Sequence, residues 1–270
     1  MTLPLIADPE ALVQRLGDRQ LVVVDVGKQA LYNQAHIPGA RFLDYGLLVA
    51  SSGKTHGLLP DRPHLERLLS SLGIDNETHV VACDDEGGGK AARLIWTLHC
   101  AVHDKASLLN GGLHAWLNEV FPHTPQQTAV EPADFHYQHN PRPVITGEEI
   151  LARIDDPGLQ LLDARSLAEY NGEQRFALRA GHIPGAINVP VTSLVDDSGR
   201  FRPADELAAL FESDRDHRAI TYCGGGIAAS ANAFMMTRLG FTDVAVYTAS
   251  LQEWAADPAN PMVVAPGPGQ

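Results

Sequence analysis

Cysteine is scarce in this sequence. Three occur in 270 residues, Cys83, Cys100 and Cys223, and no two form a Cys-x-x-Cys pair. An odd, widely spaced set excludes a disulfide framework and a structural zinc site. One cysteine is thereby available for chemistry, and the other two need only be small buried hydrophobes. Long apolar runs are missing too. No stretch approaches the ~20 residues a membrane span needs, so no membrane partner is expected. The segment Met1-Thr2-Leu3-Pro4-Leu5-Ile6 has neither a basic region nor a long apolar core. It does not read as a secretory signal, and a cytoplasmic location is expected. Positive charge is also in short supply: 20 lysines and arginines face 33 acids, a net charge of −13. Such a field repels nucleic acid, which is excluded as a partner. The 12 histidines show no ligand spacing, so a metal site is not expected.

What the chain does have is repetition. His36-Ile37-Pro38-Gly39-Ala40 recurs as His182-Ile183-Pro184-Gly185-Ala186. An apolar run ending in an acid precedes each copy, Leu21–Asp25 and Leu159–Asp163. A short helical pattern ending in tryptophan follows each, at Trp116 and Trp254. Asp163 follows Asp25 by the same interval at which Trp254 follows Trp116. A constant offset at both ends indicates duplication of a domain-sized unit of ~120 residues. The expected layout is a first domain over 1–123, a linker over 124–143, a second domain over 144–260 and a flexible tail over 261–270. Five prolines between Pro122 and Pro143 predict an extended surface linker. Thr146-Gly147-Glu148-Glu149 has the pattern of a capping box that opens the first helix of the second domain.

In the second half, strands are predicted at 159–163, 186–189, 219–223 and 244–247. Helices are predicted near 147–154, 204–211, 227–239 and 250–256. Apolar runs spaced by amphipathic helices give an α/β fold, a mainly parallel sheet with helices on both faces. Sites in such sheets form at the carboxyl ends of strands, where Cys223 falls.

Cys223 closes a buried strand, and Gly224-Gly225-Gly226 alone separates it from a strong helix beginning at Ile227. Three glycines let the backbone curl with its N–H groups inward around the sulfur. The helix adds its positive end. Both features favour a thiolate nucleophile able to hold an anionic adduct.

The paired HIPGA motifs, the strand–Cys223–glycine loop–helix unit and Leu109-Asn110-Gly111-Gly112-Leu113-His114-Ala115-Trp116 resemble the rhodanese family in its tandem-domain form, over residues 5–256. The resemblance implies two rhodanese-like domains, of which the second is catalytic and the first is a copy without the nucleophile. Val80-Val81-Ala82-Cys83-Asp84 matches the strand before Cys223 and puts Asp84 at the nucleophile position. Aligning the glycine triplets puts Glu86 there instead, in a loop two residues longer. The resemblance also implies a two-step transfer. Cys223 takes a sulfane sulfur as a persulfide held by the amides of Gly224, Gly225, Gly226, Ile227 and Ala228. It then passes the sulfur to cyanide, a thiol or a thioredoxin-like protein, and no metal or organic cofactor is needed. Apart from the resemblance, a monomer is expected.

Two features point to different donors. The loop Cys-Gly-Gly-Gly-Ile is similar to the Cys-Gly-Ser-Gly-Val loop of 3-mercaptopyruvate sulfurtransferases, not to the Cys-Arg-Lys-Gly-Val loop of thiosulfate enzymes. Asp163-Ala164-Arg165-Ser166 followed by Glu169-Tyr170-Asn171-Gly172 is similar to bacterial thiosulfate sulfurtransferases. Thiosulfate is placed first and 3-mercaptopyruvate is the alternative. Glu169 stands where an arginine is expected, so Arg175 and Arg179 are the candidates to grip the donor. Two rivals are weaker. A cysteine phosphatase or arsenate reductase needs an arginine six residues after the cysteine, and Ala229 is there. A non-catalytic binding module does not need the Cys223 loop. His36 and His182 recur in both copies, which marks them as turn braces rather than bases.

Overall fold

A computed structural model describes residues 3–211 and 214–264 of the chain. The first half carries strands β1 (Ile6–Ala7), β2 (Leu21–Asp25), β3 (Arg41–Phe42), β4 (Ala50–Ser52), β5 (Thr55–Leu58), β6 (His79–Cys83) and β7 (Ala106–Leu109). Its helices are α1 (Pro9–Val13), α2 (Gln29–Tyr32), α3 (Arg62–Ser71), α4 (Gly89–Cys100) and α5 (Gly112–Asn118). The second half carries β8 (Gln160–Asp163), β9 (Ala186–Asn188), β10 (Ala219–Tyr222) and β11 (Val244–Val246). Its helices are α6 (Gly147–Leu151), α7 (Leu167–Asn171), α8 (Ala204–Leu210), α9 (Ile227–Arg238) and α10 (Ser250–Trp254).

The two main sheets share one plan. In the first, the order is β1-β7-β6-β2-β3; in the second it is β11-β10-β8-β9, and every pair is parallel. Val144 bridges to Val246 at the edge of the second sheet, the repeat counterpart of the place where Ile6 joins the first. The predicted strands and helices of the second half all form, each shorter by one to three residues where ends fray into turns. The sequence pattern missed α7, whose five residues are too few for a helical period to show.

Apolar burial explains why β6 and β10 take the centre. All four residues of β10 are buried, and so are Val80 to Cys83 of β6, as befits strands covered on both faces. Trp254 anchors the second core with Ile220, Tyr222, Ala245 and Leu251, and Trp116 anchors the first with Val23, Val81 and Leu113. Each indole N–H donates to a proline carbonyl beyond its helix, Pro122 and Pro261. The capping box at Thr146 is present, and a second one at Ser166 starts α7.

By contacts the chain divides into two units, and the division does not follow chain order. The first comprises Met1–Ala50, Leu59–Asn140 and Val195–Phe201; the second comprises Ser51–Leu58, Pro141–Leu194 and Arg202–Gln270. The exchanged arms are repeat equivalents. One follows the 3-10 turn Tyr45–Leu48 and the other follows the 3-10 turn Val191–Leu194. The boundaries 1–123 and 144–260, drawn along the sequence, do not show this exchange.

Residues 124–143 contain no helix or strand of their own, yet they do not stand free. Phe135 and Tyr137 are buried, and Ala133, Phe135 and Tyr137 donate their amides to the Ser70 carbonyl, the Ser70 hydroxyl and Glu66. Two aromatic anchors thus seat the linker on the first unit. The expected tail begins as an ordered segment: Val263 exchanges both backbone hydrogen bonds with His182 at 2.9 Å. Residues 265–270 of that expectation lie outside the described residues. Among the described residues no helix is long and apolar enough to cross a membrane, and no group of three or more His, Cys, Asp or Glu side chains could hold a metal ion.

Candidate active site

The register of β10 against β8 pairs Tyr222 with Asp163, so Cys223 is the first residue past the carboxyl end of the strand. Its carbonyl accepts from the Leu251 amide at 3.0 Å and the Gly224 carbonyl from Gln252 at 3.2 Å, which tie the loop to α10. The Gly226 amide donates to Cys223 Sγ at 2.9 Å. Gly226 also caps the twelve-residue α9, whose N-terminal amides present positive partial charge to the sulfur. Cys223 is buried, at 4% exposed. The other thiols are enclosed. Burial, then the charges of Asp25, Asp84 and Asp85, push the Cys83 thiol well up, and burial also raises Cys100. Cys83 is held neutral and out of reach.

The three glycines serve different purposes. Gly226 sits at φ +88° as the helix cap, a left-handed position that favours glycine. Gly224 lies against a neighbouring ring: a Cβ there would come 2.8 Å from Cζ of Phe176. Gly225 has neither constraint, and nothing lies within 4 Å of where its Cβ would be. Across the loop, Gly57 of the exchanged β4–β5 arm lies at φ +77°, where a Cβ would come 2.5 Å from the Gly225 carbonyl oxygen and 2.9 Å from that of Thr248. A hairpin from the first half of the chain therefore completes the wall of the Cys223 loop. Sequence order hides that contact.

Ser250 is the residue that sequence reasoning missed. It is fully buried at φ +56°, one of three non-glycine residues with positive φ among the described residues. Its hydroxyl accepts from the Cys223 amide at 3.1 Å, donates to the Tyr247 carbonyl at 2.7 Å and stands 3.9 Å from Cys223 Sγ. Its equivalent in the first copy is Gly112, also at φ +56°. Glycine adopts that backbone without strain, whereas serine bears the strain and gains a hydroxyl beside the Cys223 thiol. The signal lay in that Gly112-to-Ser250 change between copies.

The first unit shows what replaced the thiol. The Leu113 amide donates to the Asp84 carbonyl as Leu251 does to Cys223, so Asp84 is the structural counterpart. Four residues separate Cys83 from the cap Gly88 and three separate Tyr222 from Gly226, so this loop is one residue longer, not two. The extra residue is accommodated by a loop that curls around a carboxylate. Asp84 Oδ1 accepts from the Glu86 and Gly88 amides at 2.9 and 2.8 Å, and Oδ2 accepts from Ala91 at 2.9 Å. A built-in anion fills the amide cradle there.

The arginines divide by role. Arg165 pairs with Asp163 at 2.6 Å in a buried bridge and donates to the Gly181 carbonyl. Burial pulls this guanidinium down, but the hydrogen bonds and charge of Asp163 outweigh it and raise the group overall. Arg179 donates to the carbonyls of Trp254, Ala255, Asp257 and Asn260. Those four bonds fasten the end of α10 and engage the guanidinium expected to grip the donor. Arg175 is exposed and donates to the Ala177 carbonyl. Glu169 accepts from the Ser166 amide and hydroxyl, so the acid at the expected arginine position serves the α7 cap. His36 and His182 behave alike: each Nδ1 contacts a tyrosine carbonyl and each ring stacks on that tyrosine, at 3.8 and 3.7 Å.

A strand-end cysteine in an amide loop at a helix N-terminus, on a duplicated parallel α/β frame, defines a class. The rhodanese-like domain pattern matches residues 8–119 and 146–257. The chain belongs to the rhodanese-like family, among its tandem-domain sulfurtransferases. It is similar to a thiosulfate sulfurtransferase of Azotobacter vinelandii, 34% identical over 264 residues and 97% of both chains. It is also similar to a 3-mercaptopyruvate sulfurtransferase of Mus musculus, 32% identical over 95% of this chain and 90% of that one. Among solved structures, SseA from Escherichia coli, described as a 3-mercaptopyruvate sulfotransferase, superposes with a TM-score of 0.80 at 28% identity, over 92% of this chain and 98% of that chain.

Proposed function

We propose that the chain moves sulfane sulfur from thiosulfate to a thiophilic acceptor through a persulfide on Cys223. The observation that carries this reading is the 2.9 Å hydrogen bond from the Gly226 amide to Cys223 Sγ at the start of α9. In the first step the thiolate attacks the outer sulfur of thiosulfate. The new S–S bond forms as the old one breaks, and sulfite leaves with its electron pair. In the second step cyanide or a thiolate attacks the outer sulfur and the Cys223 thiolate leaves. Thiocyanate or a new persulfide is released, and no redox cofactor is consumed.

Asp84 supports a location for the transferred sulfur. Its two carboxylate oxygens mark two anion positions, one on Gly88 and one on Ala91. Their equivalents in the second copy are Gly226, which already meets Sγ, and Ala229. The amides of Gly224 to Ala228 and of Ala229 form the proposed persulfide bed, in the manner of an oxyanion hole. Three unpaired cysteines support a reducing, cytoplasmic setting, where the chain is proposed to work as a monomer on small or thioredoxin-like acceptors.

A second reading, 3-mercaptopyruvate as donor, is favoured by the bare loop: no side chain stands on residues 224–226, and the Gly225 side is open. Parallel steady-state assays with both donors, using cyanide and a dithiol as acceptors, decide between them. Thiosulfate is expected to give the larger kcat/KM and a gain of about 32 Da on Cys223, abolished in Cys223→Ser. No adduct from either donor would overturn the sulfur-carrier reading.

A further inference from the structure

The ring of Phe176 is unexplained by the fold. It is 56% exposed, a large apolar side chain left facing water, in the segment between α7 and His182. Its inner edge is closely seated: Cζ and Cδ1 lie 2.8 and 2.9 Å from where a Gly224 side chain would begin, and Cε1 lies nearer still. The three nearest atoms to that point all belong to this one ring. The segment that carries it is fastened on both sides. Gly172 and Gly181 take left-handed φ values of +83° and +97° against Val264 and Val263, the Gln174 amide donates to the Ala168 carbonyl, and Arg179 holds four carbonyls. The ring is therefore placed on the residue after the nucleophile, with its outer part free.

We propose that Phe176 is the specificity-determining wall of the sulfur site and selects acceptors that carry an organic group. The inference rests on the reading of Cys223 as the sulfur carrier. An acceptor's carbon skeleton gains apolar contact on the ring, and its thiol sulfur gains an aromatic neighbour. Cyanide, a small hydrated anion, gains neither and meets no cation on residues 224–226. The three loop residues offer no side chain, so the ring is what gives this part of the site a chemical preference.

The test is a single-turnover measurement on the full chain, with Cys223 loaded with sulfur and then discharged by dithiothreitol or by cyanide. In Phe176→Ala the ratio of the two rate constants, dithiothreitol over cyanide, is expected to fall about tenfold, the effect of losing about 55 Å² of apolar contact. Phe176→Leu, which keeps apolar surface, is expected to retain most of the ratio. An unchanged ratio in Phe176→Ala overturns the proposal while leaving the carrier reading intact. Should neither donor load the wild type, the carrier reading fails, and the wall is tested on the free thiol. Wild type then prefers N-phenylmaleimide over iodoacetate and Phe176→Ala loses that preference; equal preference in both proteins overturns the wall as well. Seating on Gly224 is checked by a double-mutant cycle: Gly224→Ala lowers stability, and Phe176→Ala/Gly224→Ala is expected to recover it, whereas simple additivity counts against the contact.

Discussion

Ser250 separates the effect of a strained backbone from that of the side chain it carries. Replacing it by alanine keeps the backbone at φ +56° and removes the hydroxyl. The buried Cys223 amide, now 3.1 Å from that hydroxyl, would lose its acceptor. A buried donor left without a partner costs about 1–3 kcal/mol, and the bond to the Tyr247 carbonyl adds about 1. The expected loss for Ser250→Ala is therefore about 2–4 kcal/mol. Ser250→Gly loses the same bonds but releases a left-handed strain of about 1 kcal/mol, so it should lie closer to wild type by that amount. Activity should not follow stability. Both variants lack the hydroxyl that fixes the loop beside Sγ, and both should lose about ten- to a hundredfold in kcat/KM. Urea unfolding gives the first comparison and a sulfur-transfer assay the second. If glycine is less stable than alanine, the strain account is wrong. If glycine restores activity, the hydroxyl has no catalytic part.

Two further outcomes follow from the charged groups. Asp25, buried with its Oδ2 unpartnered, has its carboxyl pushed up to about 6 by burial, against the Gly27 amide and with help from Asp85 and Asp84. The native state holds this proton more tightly than the unfolded chain, whose value is about 3.9. Its contribution is full below about pH 4 and is lost as pH rises through about 6, by about 3 kcal/mol. Asp25→Asn should thus match wild type near pH 4 and exceed it near pH 7 in urea unfolding; an equal difference at both pH values would refute the shift. Arg179→Ala removes the four carbonyl contacts and should lower stability by about 2 kcal/mol while moving the donor KM by less than about threefold. A tenfold rise in KM at unchanged stability would restore Arg179 as a donor contact.

The duplication, the parallel α/β frame and the Cys223 loop were legible because each depends on local order. A constant repeat offset, alternating apolar and amphipathic runs, and a cysteine between a strand and a helix need no knowledge of distant contacts. The capping box at Thr146 was read for the same reason, since its partners are neighbours within one helical turn. The charge of Arg179 is visible in sequence, whereas the carbonyls of Trp254 to Asn260 that take it up come together only after folding. Glu169 looked like a missing arginine and is a helix cap.

That Cys223 follows a buried strand, that glycines come after it and that an acid is its counterpart in the first copy all follow from the order of residues alone. Folding settled the remainder of the site. It curled the loop of the first unit around the Asp84 carboxylate, brought Gly57 of an exchanged arm against the Gly225 carbonyl, and set Phe176 on Gly224. It also put a strained Ser250 under the Cys223 amide. The physical reason is range. A hydrogen bond or a van der Waals contact acts over a few ångströms, whereas Ser250, Phe176 and Gly57 are all far from the Cys223 loop along the chain, so only the folded protein brings them within reach.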